Sequence, residues 1–201
     1  MPALGLDHPY KRFSHDLIYS LIVISGVAIG WGQRRLFIFG ACLGSLAIGM
    51  RWAAWGVRSE DFAMWRDLAA PACLVMICWA LLSQVFREGR VSSARVQGAV
   101  AAYLLLGLAW AHAYRVVTYL RPGSFHISFG RSSSLVEWYY FSFATLTTLG
   151  YGDIVPVSTS ARSLAISESL CGQLYLTILI AHLVAMRVST LQPDSNRESH
   201  D

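Results

Sequence analysis

Residues 145–153 read Thr-Leu-Thr-Thr-Leu-Gly-Tyr-Gly-Asp, and this short loop constrains the fold more than any other stretch. An apolar stretch, roughly 135–147, runs into it, and a longer one, roughly 161–188, runs out of it. A bilayer-spanning helix needs about 20 mostly apolar residues. The first stretch is too short to span, so it reads as a re-entrant helix that ends at the loop. Non-helical backbone at membrane depth persists only where it is buried in protein or lines a water-filled cavity. Consecutive carbonyls can share one side of such a loop if successive dihedrals alternate in sign. Gly150 and Gly152 are positions where φ can be positive without a Cβ clash.

Composition supports a membrane setting. The chain has 201 residues, 55% hydrophobic and only 14% charged, with mean hydropathy +0.46; a soluble domain of this length is far more polar. The net charge is +4. The basic residues sit at the ends of apolar runs, where the positive-inside rule accounts for them and no nucleic-acid partner is implied. Cys42, Cys73, Cys78 and Cys171 all lie within apolar runs without metal-ligand spacing, so they read as small buried hydrophobes with free thiols.

Five segments approach spanning length: roughly 13–31, 35–56, 67–86, 96–120 and 161–188. The expected architecture is an all-α membrane protein of about five spanning helices plus the re-entrant helix and its loop. The turn Gln33-Arg34-Arg35, the 87–95 loop with Arg87, Arg90 and Arg95, and Arg187 are basic and expected inside. The 57–67 loop sets Glu60, Asp61 and Asp67 against Arg58 and Arg66 and suits the outside. This order puts the N-terminus outside, against the local sign of Lys11 and Arg12; a first helix that does not fully span is the alternative. Residues 17–31 are followed by no small-residue cleavage site and do not read as a signal peptide.

Thr148-Leu149-Gly150-Tyr151-Gly152 resembles the selectivity filter of potassium channels, usually Thr-Val-Gly-Tyr-Gly. Over roughly 96–188 the chain resembles the pore domain of bacterial pore-loop potassium channels. The resemblance implies K+ held at Thr148, Leu149, Gly150 and Tyr151, with no other cofactor, and the Thr148 hydroxyl supplying the innermost oxygens. It implies that Asp153 ties the outer mouth to the preceding helix. The usual partner there is a tryptophan eight residues before the threonine; Tyr140 stands in its place, with a phenol able to donate. A supporting acid found in some members four residues before the threonine is Ala144 here. Thr145, Thr147 and Thr148 are near enough in sequence to brace the loop. The C-terminal, negative end of the re-entrant helix would face a cation in the central cavity.

In the last helix, Gly172 lies twenty-four residues after Thr148, matching the hinge glycine of simple potassium channels. A mid-helix glycine weakens a helix by roughly 1 kcal/mol relative to alanine; close helix packing is the other reason for one. Carrying the match onward places Ile180, Val184 and Val188 along the inner passage, where an apolar ring can gate by dewetting. Glu168 and Arg115 fall at similar depth, either as a pair or each meeting water separately. Gln173 is a candidate for the cavity wall. His182 reads either as a pH-sensing residue or as a hydrogen-bonded core residue.

No helix carries arginine at every third position, so a voltage sensor is not expected. Residues 1–95 read as a three-helix scaffold, with Trp52, Trp55 and Trp65 near the outer interface, 96–188 as the pore domain, and 189–201 as a short polar cytoplasmic tail. One chain brings one pore loop and a filter needs four, so three further copies of the chain are the expected partners, along with membrane lipid. Compact size suits a multi-pass protein of a bacterial inner membrane. The leading expectation is passive, potassium-selective conduction. A weakly selective cation channel, a transporter with pore loops and a non-conducting pore-like subunit are the competing readings. No nucleophile, base or metal cluster stands at usable spacing for an enzyme.

Overall fold

The computed structural model describes residues 9–29, 34–53, 60–85, 93–128 and 135–191. The elements are α1 (Pro9–Ile29), α2 (Arg34–Ala53), α3 (Glu60–Val85), α4 (Ser93–Leu120), β1 (Phe125–Ile127), α5 (Leu135–Leu146), β2 (Ile154–Pro156) and α6 (Thr159–Leu191). Each apolar run became one helix, most extended by a few residues because polar ends continue the helical hydrogen bonding past the apolar stretch. The turn at Gln33, the loops carrying Arg58, Arg87 and Arg90, Trp55, and the tail beyond Leu191 lie outside the described residues.

Among the described residues, two helical stretches are long and apolar enough to cross a bilayer, Arg95–Leu120 and Thr159–Ala185. Helices α1 and α3 hold shorter apolar stretches, Phe13–Val27 and Leu68–Ser83.

One small feature among the helices is not helical. Strands β1 and β2 pair antiparallel, with Phe125 opposite Pro156, His126 opposite Val155 and Ile127 opposite Ile154. This clip closes the segment that contains α5 and the glycine loop.

Two apolar clusters hold the chain together. The first joins α1, α3 and α4 through Tyr19, Val23, Leu74, Ile77, Leu105 and their neighbours. Small residues at the α3–α4 contact, Cys73, Cys78, Ala102 and Ala109, are all buried and let the two backbones approach. The second cluster packs Ala111 and Tyr114 of α4 against Trp138 and Phe141 of α5 and Ile154 of β2. Its aromatic rings meet edge to face, Phe125 on Trp138 at 4.8 Å and Tyr114 on Phe141 at 4.8 Å, an arrangement that ring quadrupoles favour. All four cysteines are free, but only Cys73 and Cys78 are buried; Cys42 and Cys171 are exposed, because their helix faces have no neighbour within the single chain.

Candidate functional site around the glycine loop

The loop begins where α5 runs out of intrahelical partners. The last carbonyls of a helix need donors from outside it, and the loop's own backbone supplies them. Thr147 N reaches Phe143 O at 3.1 Å, Thr148 N reaches Thr145 O at 2.9 Å, and Leu149 N and Gly150 N share Ala144 O at 2.8 and 3.1 Å. Ser169 of α6 donates to Thr145 O at 3.1 Å. The Thr147 hydroxyl donates back to Phe143 O at 2.6 Å and the Thr148 hydroxyl to Thr147 O at 2.6 Å. The loop is thus tied to the end of α5 rather than hanging from it.

Beyond that anchor the backbone alternates. Thr148 has φ 59°, Gly150 φ 55° and Gly152 φ 82°, while Leu149 and Tyr151 stay in the ordinary negative range. The two glycines occupy the left-handed region at little cost. Thr148 does not: a β-branched residue there is a genuine outlier, costing on the order of 1–3 kcal/mol. Sequence reasoning assigned positive φ to the glycines and missed it at Thr148. Residues 147–152 are exposed on the single chain, and a Cβ placed at Gly150 or Gly152 meets nothing within 4 Å.

On the far side of the loop, the Tyr140 ring stacks on Tyr151 at 5.9 Å with planes 7° apart. The Tyr140 hydroxyl faces the Asp153 carboxyl. That carboxyl also accepts from Ile154 N at 3.1 Å, and the Asp153 carbonyl accepts from Ser128 N at 3.0 Å. Asp153 therefore joins α5, the loop and the β-clip.

Beneath α5 lies a polar cluster that the sequence did not give away. Glu168 is fully buried. Its partners are not Arg115, the pairing considered from depth, but two hydroxyls: Tyr114 donates to one carboxyl oxygen, and Ser142 Oγ lies 2.5 Å from the other. Ser142 Oγ is also 2.7 Å from the Gly107 carbonyl. The reason is angular. Adjacent residues on a helix point about 100° apart, so Tyr114 faces α6 while Arg115 turns away and reaches the Tyr119 hydroxyl at 2.9 Å. Gly107 itself was missed: a Cβ there would lie 2.6 Å from the Phe143 ring, so α4 and α5 meet closely at this point.

Gly172 faces the end of α5. A Cβ at this position would strike the Leu146 carbonyl oxygen and lie 2.9 Å from Leu146 Cδ1. Close packing thus gives this glycine a role whether or not the helix bends there. Gly172→Ala is expected to lower the thermal midpoint of the purified protein, at a cost of roughly 1–3 kcal/mol for overpacking against backbone. A midpoint equal to wild type, with only the opening of the protein changed, would leave bending as the glycine's whole purpose.

Further along α6, Ile180, Val184 and Val188 follow at four-residue spacing, all at least half exposed on the single chain. Gln173 is exposed and His182 half-buried. Trp52 and Trp65 are exposed. No group of three or more His, Cys, Asp or Glu side chains suited to a metal ion occurs among the described residues.

A mostly helical membrane protein is what these features define. Residues 102–188 match the family model described as an ion channel. Among curated proteins, the chain is 29% identical over 119 residues to the voltage-gated potassium channel Kch of Escherichia coli (strain K12), covering 58% of this chain and 26% of that one. It is 34% identical over 84 residues to two pore potassium channel c of Oryza sativa subsp. japonica, 42% of this chain and 17% of that one. It is 33% identical over 81 residues to the inward rectifier potassium channel Kirbac3.1 of Paramagnetospirillum magnetotacticum, 40% of this chain and 24% of that one. The chain therefore spans about a quarter or less of the length of these relatives. No solved structure matches it. The segment 102–188 is thus similar to ion channels, and the curated relatives it matches are named as potassium channels.

Proposed function

We propose that this protein conducts K+ passively and selectively through Thr148–Gly152, as a homotetramer that places four such loops around one axis. The observation that carries the proposal is the alternation of φ at Thr148, Gly150 and Gly152. That pattern lets consecutive carbonyls line one side and replace an ion's hydration shell. K+ would sit at Thr148, Leu149, Gly150 and Tyr151, with Asp153, Tyr140 and Thr147 supporting the loop. Ile180 and Val184 would line the inner passage, with Gly172 above them where α6 meets α5.

Self-association fits the surface of α6. Ile166, Leu170, Leu174, Ile178, Ile180 and Val184 are each more than half exposed on the single chain. Three further copies and lipid would cover them. In this reading 1–95 is a scaffold of three membrane helices, 96–188 the pore domain and 189–201 a cytoplasmic tail, in a multi-pass protein of a bacterial inner membrane. The N-terminal part of α1 meets the first half of α5, and the C-terminal end of α2 meets α1 beside it. Since a pore helix enters from the outer face, that meeting favours an N-terminus on the outside.

A weakly selective cation channel is the second reading. Leu149 at the usual valine position and Tyr140 at the usual tryptophan position favour it. The two separate in reconstituted bilayers with potassium on one side and sodium on the other. Selective conduction gives a reversal potential shifted strongly toward the potassium equilibrium potential. Current with no shift would mean a loosened filter.

A further inference from the structure

Helices α1 and α2 lie outside the family-matched segment, yet a polar chain runs from them to α5. Asp16 and Arg51 form an ion pair, Nε to Oδ1 at 2.7 Å, each about 5% exposed. The Arg51 guanidinium also lies 4.3 Å from the Tyr19 ring centroid. Its Nη2 is 2.6 Å from His15 Nδ1. An arginine only donates, so His15 Nδ1 is the acceptor and the neutral ring carries its proton on Nε2. That nitrogen lies 2.7 Å from the Tyr139 hydroxyl, with the two rings stacked at 5.6 Å. The Tyr139 hydroxyl in turn lies 3.4 Å from His112 Nε2. The chain links α1, α2, α5 and α4.

Burying an ion pair among apolar helices costs free energy that a hydrophobic pair would not. What such a chain supplies is direction. Tyr139 and Tyr140 are adjacent on α5 and so point about 100° apart. Tyr139 faces His15, and Tyr140 faces Asp153 and Tyr151. Fixing the Tyr139 hydroxyl fixes the rotation of α5 about its axis. That rotation sets how Tyr140 meets the loop.

We propose that His15 is a positioning residue for the pore helix: held by the Arg51–Asp16 pair, it anchors Tyr139 and so fixes the orientation of Tyr140 against Asp153. The inference rests on the proposed channel function only for its electrical readout. The test uses the full chain in liposomes, as wild type, His15→Ala, His15→Gln, Tyr139→Phe and the His15→Ala/Tyr139→Phe double variant. Amide hydrogen exchange is followed over residues 135–146, and the decay of potassium current is recorded in parallel.

His15→Ala and Tyr139→Phe are each expected to raise exchange in this segment about 5-fold, the size of coupling typical of residues in one hydrogen-bond network. The double variant should match either single variant. His15→Gln should stay near wild type, because its carboxamide offers an acceptor to Arg51 and a donor to Tyr139. Current decay should follow the same pattern. Unchanged exchange in Tyr139→Phe, which keeps the ring and its packing even where His15→Ala fails to fold, would overturn the proposal. So would a double variant whose effect is the product of the two singles. The expected exchange pattern in a protein that passes no potassium current would uphold the positioning role and overturn the channel reading. Potassium current with exchange and decay unmoved would do the reverse.

Discussion

Gly150→Ala is expected to abolish potassium selectivity while leaving the fold and its thermal midpoint close to wild type. The two halves of this expectation come from different facts. A Cβ at position 150 meets nothing within 4 Å, so no packing is disturbed within the chain. But the backbone sits at φ 55°, where an L-residue costs roughly 1–2 kcal/mol. The loop already carries one such cost at Thr148. Repeated in four chains at one level of the pore, the added strain is about 4–8 kcal/mol. It relaxes when the peptide after residue 150 rotates, and rotation takes a carbonyl off the shared side. The measurement is the reversal potential with potassium opposing sodium. It should fall from near the potassium equilibrium potential to near zero. A reversal potential that stays put would move selectivity away from this loop altogether.

The parts of the fold that depend on local pattern were legible in the sequence. Apolar runs gave the six helices to within a turn or two at most ends, and the Gly-Tyr-Gly spacing gave the loop. What escaped depends on pairings between distant residues. Asp16 and Arg51 are single charges in separate apolar runs, thirty-five residues apart. Nothing in either run says that they meet, so both helices read as plain scaffold. The β-clip uses three residues on each side, too few to show an alternating pattern. Glu168 was noticed as an intramembrane acid, but depth alone could not separate Arg115 from Tyr114. The angular step between neighbours on α4 decided it. Tyr114 also presents an apolar ring with a polar tip, so in the sequence it counted toward the apolar run rather than as a donor. Gly172 was legible as a glycine that matters; which neighbour requires it was not.

Glu168→Gln is expected to leave stability near wild type, whereas Glu168→Ala should be among the most damaging single changes in the pore segment. The difference follows from counting protons. Ser142 Oγ lies 2.7 Å from the Gly107 carbonyl and 2.5 Å from Glu168 Oε1. A hydroxyl has one proton to donate, and a carbonyl oxygen only accepts. Ser142 therefore donates to Gly107, and its contact with Glu168 is a hydrogen bond only if Oε1 carries a proton. The Tyr114 hydroxyl donates to the other oxygen. With the acid neutral, the donors run in one direction, Tyr114 to Glu168 to Ser142 to Gly107, from α4 through α6 and α5 back to α4. An ionised Glu168 would forfeit one of these bonds and leave a buried charge, a costly state in an apolar setting. Glutamine reproduces the neutral pattern: its carbonyl accepts from Tyr114 and its amide donates to Ser142. Alanine leaves two buried hydroxyls short of a partner, at about 1–3 kcal/mol each, or about 2–6 kcal/mol together. Thermal midpoints in lipid nanodiscs, with oligomeric state followed by size-exclusion chromatography, separate the cases. Glutamine melting as low as alanine would mean that Ser142 donates to a charged carboxylate and that the chain of bonds runs the other way.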